Sequence, residues 1–171
     1  DQSYLIGLLQ RDSEGRDLTV PKQQKGPDIF LALMLLLKQH VGVQGFHVLL
    51  GGPRRHWLRS ALDHHGIPYT FVGEMIEGDD YPDNILDKAT MCQLYNLLDL
   101  YVIPTRWEGA PRQVFDVLEC GRKIISTPVG IAPEVLPPEC IYDTLASGVS
   151  TIIKDMETGF LDESVSAGRR V

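Results

Sequence analysis

The sequence predicts an α/β fold built on a doubly wound, mostly parallel sheet. Three observations carry that prediction. Short apolar runs recur along the chain, and the first of them, Tyr4–Gln10, is apolar enough to be buried on both faces, as strands of a parallel sheet are. Each run is followed by a helical or return segment, the alternation that builds such sheets. Glycine and proline fall between the two kinds of segment, where element ends belong.

In order, Tyr4–Gln10 is the first strand. Residues 11–24 are polar, charged and interrupted by Gly15 and Pro21, and read as a long loop of the kind that carries function or disorder. Lys25-Gly26-Pro27-Asp28 opens a helix through His40 that is apolar nearly all round and therefore buried. Phe46–Leu50 is the second strand, and Gly51-Gly52-Pro53 the turn after it. Pro53 then starts a helix with Trp57, Leu58, Ala61 and Leu62 on one side; Arg54, Arg55, His56 and Arg59 give it a basic face, read as solvated or as a phosphate or interdomain surface. Tyr69–Val72 is the third strand, and residues 74–82 form an acidic loop without the ligand spacing of a calcium loop. Asn84–Leu98 reads as a helix with Ile85, Leu86, Ala89, Leu94 and Leu97 toward the core.

The stretch from Tyr101 to Gly130 organises the rest. Tyr101–Ile103 is a strand stopped by Pro104. Residues 105–110 are a loop, Pro111 suits a helix's first turn, and Val114, Val117 and Leu118 recur at helical spacing before Gly121. Lys123–Ser126 is the next strand, and Leu145–Met156 a short amphipathic helix. In open α/β sheets ligands bind at the carboxyl ends of strands, beside helix N-termini, which favour phosphate. The loop from Glu108 to Arg112 lies at such an end, and the spacing lets Glu108 and Asp116 face one crevice. By itself P-T-R-W-E-G is no phosphate-loop signature, and an ordinary strand–helix connection with a solvated acid fits it equally. No G-x-G-x-x-G follows the first strand, which argues against a dinucleotide redox domain.

Composition narrows the classes. With 171 residues, 43% hydrophobic and 23% charged, the chain suits one soluble domain with a sizeable core. A net charge of −7 disfavours nucleic acid and anionic lipid as broad electrostatic partners. Cys92, Cys120 and Cys140 are odd in number and widely spaced, suggesting buried thiols in a reducing compartment. No signal peptide is evident, and the apolar run Ile29–Leu37 is too short to span a membrane.

The run E-G-A-P-R-Q-V-F-D-V-L-E-C-G, followed by K-I-I-S-T-P-V-G-I-A-P-E, resembles the signature of family-4, "group 1" glycosyltransferases of the GT-B fold. Glu108, Gly109, Pro111, Gly121, Gly130, Pro133 and Glu134 fall in register; the family's second acid, normally Glu, is Asp116 here. The resemblance covers the chain to about Phe160 and implies a Rossmann-like domain, the C-terminal, nucleotide-sugar-binding half of a GT-B enzyme (residues 1–160), with 161–171 a flexible polar tail. It implies that Glu108 is the catalytic residue, lying beside the donor sugar and contacting its hydroxyls, where a carboxylate can also stabilise positive charge developing at the anomeric carbon. It implies that Gly109 and the backbone N–H groups of Ala110 and Arg112 hold sugar and phosphate, that Asp116 bonds the ribose diol, and that Met75 meets the base. Arg11 and Lys25 match the two cations that neutralise the leaving diphosphate, with Arg16 and Lys22 as alternatives in the long loop.

Those cations do the work a metal ion does elsewhere, so neither metal nor cofactor is expected. The implied reaction moves a sugar, with retention, from a UDP or GDP sugar to an acceptor hydroxyl in glycan, lipid or polysaccharide synthesis. The acceptor-binding N-terminal domain is expected to be missing from this chain, leaving it inactive alone. The expected location is the cytoplasm, with any peripheral contact at the inner membrane face made through that other domain. A GT-B-like epimerase or phosphorylase, or a non-catalytic nucleotide-sugar-binding domain, are the alternative readings.

Overall fold

The computed structural model describes residues 3–14 and 17–167. Five parallel strands form the central sheet: β1 (Tyr4–Leu8), β4 (Phe46–Gly51), β5 (Tyr69–Val72), β6 (Leu100–Ile103) and β7 (Lys123–Ser126), in the order β5-β4-β1-β6-β7. The expected doubly wound, Rossmann-like architecture is therefore the one observed. Strand order reverses at β1, so the carboxyl ends of β1 and β6 flank the switch point where ligands bind in such sheets. β6 is wholly buried, which is why it reads as an unbroken apolar run.

Helices cover both faces: α1 (Pro27–Val41), α2 (His56–His65), α3 (Lys88–Leu97), α4 (Gln113–Glu119), α5 (Ala132–Val135), α6 (Leu145–Thr158) and α7 (Asp162–Ala167). In α1, Phe30, Leu33, Met34 and Leu37 are buried, while Ile29, Leu31, Leu35 and Leu36 pack against the core from its margins. α4 ends as its sequence promises: Gly121, at φ 65°, donates to Leu118 O, and Arg122 N donates to Val117 O.

Several expectations need correction. The loop over residues 11–24 contains a two-stranded antiparallel hairpin, β2 (Ser13–Glu14) and β3 (Asp17–Pro21). α2 starts at His56, not Pro53. α3 starts at Lys88 because Asp87 caps it, accepting from Thr90 N at 2.7 Å. Asn84 is instead spent in the acidic loop, where its amide donates to Glu74 O and Asp80 Oδ2. Ile85 is consequently exposed rather than in the core, and Leu97 is exposed at the end of α3 itself. The polar tail expected from Leu161 is, as far as Ala167, a helix: Lys123 Nζ pairs with Asp162 Oδ1 at 2.6 Å, and Leu161 N donates to Asp155 Oδ1. Residues 168–171 lie outside the described set. Of the three thiols only Cys140 is buried, and Cys92 is exposed. No described helix is long and apolar enough to cross a membrane.

Candidate active site

The loop after β6 is seated from two sides. On one side Arg106 N donates to Gln24 O, the Arg106 guanidinium spans both oxygens of Asp28, and Gln24 Nε2 donates to Trp107 O. Gly26, at φ 64°, packs so closely on Pro104 that an added Cβ would lie 1.9 Å from its carbonyl oxygen. On the other side Thr127 Oγ1 donates to Thr105 O, and Ile131 N donates to Gly109 O at 3.1 Å. Gly130, at φ 50°, leaves no room for a Cβ, which would meet Gly109 O at 2.2 Å and Glu108 O at 2.4 Å. The conspicuous glycines of the sequence are thus the points where backbone meets backbone.

Seating the loop puts Glu108 against Lys25. Lys25 Nζ donates to both carboxylate oxygens, at 2.7 and 2.8 Å, and each side chain keeps about a fifth of its surface exposed (18% and 22%). Lys25 and Arg11 line one cavity of about 400 Å³ at the switch point, together with Gln10, Gly52, Arg55, Tyr81, Leu86, Met91 and Gln113. Gln10 joins β1 to the seated loop, accepting from Thr105 Oγ1 at 3.0 Å.

Arg55, which the sequence groups into a basic face that is either solvated or a phosphate or interdomain surface, is the site component that sequence reasoning did not single out. It is 1% exposed, not part of a solvated basic face. Its Nε donates to Gly51 O at 2.8 Å, while buried Nη1 has no partner among the described residues. Burial pushes the guanidinium down to about 10, with Asp12 opposing, so it remains charged at neutral pH. Burial likewise pushes Asp12 up to about 6, against the pull of Arg55 and of the amide at the start of α2, Leu58 N, which donates at 3.0 Å. The rest of the basic run is also engaged: Arg54 forks onto Asp79 at 2.8 and 2.9 Å, and Arg59 lies 4.6 Å over the Phe71 ring. Local sequence carries no signal for Arg55, because its burial comes from the packing of β4, α2 and the hairpin.

Asp116 does not share that cavity. It lines an adjoining one of about 330 Å³ with Lys88, Cys92, Tyr95, Arg112 and Cys120, and Leu86 and Met91 border both. The single crevice expected for Glu108 and Asp116 is therefore not found: Asp116 lines the second cavity, and Glu108 lines neither, meeting the first only through Lys25. Gly109, Ala110 and Arg112 are exposed at the approach to α4, and neither Ala110 nor Arg112 donates its backbone N–H to a described residue. Pro111 lies two residues before Gln113, the first residue of α4, rather than in the helix's first turn. Met75 is 70% exposed and lines neither chamber. Lys22, the alternative cation, donates its backbone N–H to Asp12 O; Arg16 lies outside the described residues. No metal-binding cluster of His, Cys, Asp or Glu occurs among the described residues.

A family model described as glycosyl transferases group 1 matches residues 17–164. The chain belongs to that family. Solved structures agree on the GT-B glycosyltransferase fold. Sucrose-phosphate synthase from Thermosynechococcus elongatus superposes with a TM-score of 0.71 at 16% identity, covering 98% of this chain and 40% of that one. The C-terminal domain of a group 1 family glycosyl transferase from Francisella tularensis gives 0.69 at 16% identity, covering 96% and 82%. An Anabaena protein solved in complex with UDP-glucose gives 0.69 at 14% identity, covering 97% and 42%. The chain thus spans about two fifths of the sucrose-phosphate synthase it matches. No curated protein matches it in sequence.

Proposed function

We propose that this chain is the donor-binding domain of an anomer-retaining family-4 glycosyltransferase, taking a nucleoside-diphosphate sugar as its substrate. The observation that carries the reading is the convergence of Arg11, Lys25 and buried Arg55 on one chamber at the switch point, with Glu108 on Lys25. An ammonium has three donors. Two point at Glu108, and the third is free to meet a phosphate oxygen while the pair holds the carboxylate in place. The diphosphate then sits among the three cations, and the sugar beside Glu108. As the bond to the diphosphate breaks, negative charge grows where Arg11 and Lys25 are, and positive charge at the anomeric carbon facing Glu108. Asp116 takes the ribose in the adjoining chamber, and the exposed amides of Ala110 and Arg112 take sugar and phosphate.

That a similar fold was solved with UDP-glucose supports this class of ligand. The matched full-length enzymes are more than twice as long, which supports the further proposal that the chain binds donor without transferring it. Titration calorimetry against UDP, GDP, ADP and their sugars, with chelator present, tests the reading. One diphosphate should bind without metal. Arg11→Ala or Lys25→Ala should each weaken it by about 2 kcal/mol, the scale of a charge-assisted hydrogen bond, and leave the nucleoside nearly unaffected. Equal loss for nucleoside and diphosphate removes both residues from the phosphate site.

A further inference from the structure

Two thiols are left over by the donor reading. Cys92 lies in α3 and is exposed; Cys120 caps the C-terminus of α4 and is partly buried. Twenty-eight residues apart in sequence, their sulfurs lie 3.6 Å from each other. The Cys92 sulfur is held in place, since Asn96 Nδ2 donates to it at 3.5 Å and to Cys92 O at 2.9 Å. Both cysteines line the chamber of Asp116 and Arg112. Cys120 lies one helical turn beyond that acid, its N–H donating to the Asp116 main-chain carbonyl at 3.2 Å.

We propose that Cys92 and Cys120 form a thiol–disulfide exchange site, closed by a small-molecule disulfide and reopened by a small-molecule thiol. The exposed Cys92 gives up its proton and attacks one sulfur of the disulfide, forming a mixed disulfide; the first thiolate leaves and takes a proton. Cys120 then gives up its own proton and attacks Cys92 Sγ, expelling the second thiolate, which is protonated in turn. Two protein thiols are oxidised and one external disulfide is reduced to two thiols. Closure brings the sulfurs from 3.6 Å to about 2.05 Å. In a reducing compartment such a bond is transient, as regulatory disulfides there are. It would lock α3 to α4 one helical turn from Asp116. That this lowers affinity for a ribonucleotide rests on the donor reading above.

The test uses the whole chain with excess oxidised glutathione and intact-mass spectrometry. The expected product is about 2 Da lighter, one disulfide's worth of hydrogen, with Cys140 still free, and dithiothreitol reverses it. Cys120→Ser should instead accumulate a glutathione adduct on Cys92. Overturning outcomes are a wild type that stays fully reduced, or one that carries a glutathione adduct on Cys92 that never resolves onto Cys120. Calorimetry with UDP then reads the coupling: the oxidised form should bind at least threefold more weakly than the reduced form, and equal affinity overturns the coupling. A reduced protein that binds no UDP overturns the coupling together with the uridine form of the donor reading, while the mass spectrum alone decides the thiol chemistry.

Discussion

Two cations that line the switch-point chamber, Lys25 and Arg55, hold charge in opposite ways, each near an acid, Glu108 or Asp12, that does not itself line it. On the β6 side, Lys25 and Glu108 satisfy each other at 2.7 Å and stay partly exposed. On the β4 side, Arg55 and Asp12 are each 1% exposed, and one Arg55 nitrogen has no described partner. The first pair can open to a ligand at little cost, because water or phosphate replaces what either partner loses. Arg55 and Asp12 each carry buried charge, so the fold itself must hold it, through Gly51 O for Arg55 and the Leu58 amide for Asp12. The chamber thus has one adaptable wall and one fixed wall. Under the proposed donor reading, the fixed wall would anchor the diphosphate and the adjustable pair would follow the breaking bond.

The largest expected effect falls on the adaptable wall, through its backbone. Gly130→Ala places a Cβ within 2.4 Å of two carbonyl oxygens at a positive φ. The loop of Glu108 must move or the strain must stay, at a cost of about 3 kcal/mol in stability or in donor affinity. Urea denaturation and calorimetry together should recover that sum. An unchanged midpoint with unchanged affinity would show that the loop is not seated by this contact, and that the adaptable wall is looser than its hydrogen bonds indicate.

The fixed wall is tested by pH. Asp12 in the folded chain titrates at about 6, above its ordinary value of about 3.9. An acid raised by folding binds its proton more tightly in the native state, so stability falls as pH rises from about 4 to about 6, by about 2 to 3 kcal/mol for the shift cited. Asp12→Asn lacks that titration. Comparing the two by urea denaturation at several pH values, the difference in stability should move toward the variant by that amount between pH 4 and 7. A flat difference would mean that Asp12 is better solvated, or more closely paired with Arg55, than its burial suggests.

Much of this geometry is written locally, and some is not. Strands buried on both faces are legible as apolar runs, and Gly121 and Gly130 are legible because a C-cap and a close approach need glycine. Lys25 meeting Glu108 across 83 residues could be expected only through the family resemblance. Arg55 could not be singled out even so, since Arg54, Arg55, His56 and Arg59 read alike whether solvated, phosphate-facing or enclosed. Ile85 misled for the converse reason: apolar spacing predicts a buried face, but Asn84 and Asp87 hold it in a loop before the helix starts, while Leu97 is exposed at the end of α3 itself. Cys92 and Cys120 sit on separate helices, and nothing local brings them within 3.6 Å.

The smallest effect belongs to Asp116, which stands on neither wall. Aspartate is one methylene shorter than the family's glutamate, so its carboxylate is drawn back by about 1.5 Å. The chamber it lines is separate from that of Lys25 but continuous with it at Leu86 and Met91. A nucleotide whose diphosphate lies among the cations can place its ribose across that border. Under the proposed donor reading, the shorter carboxylate would accept there from the ribose hydroxyls directly or through one bridging water. The energy at stake is that of one or two hydrogen bonds in a partly solvated site, about 1 kcal/mol. Asp116→Ala should therefore weaken the ribonucleotide about fivefold and the 2′-deoxy form less, narrowing the preference between them, while Asp116→Glu should keep or tighten ribonucleotide binding. If the ribo-to-deoxy ratio is the same in wild type and Asp116→Ala, the ribose lies elsewhere, and the second chamber serves the thiol pair rather than the donor.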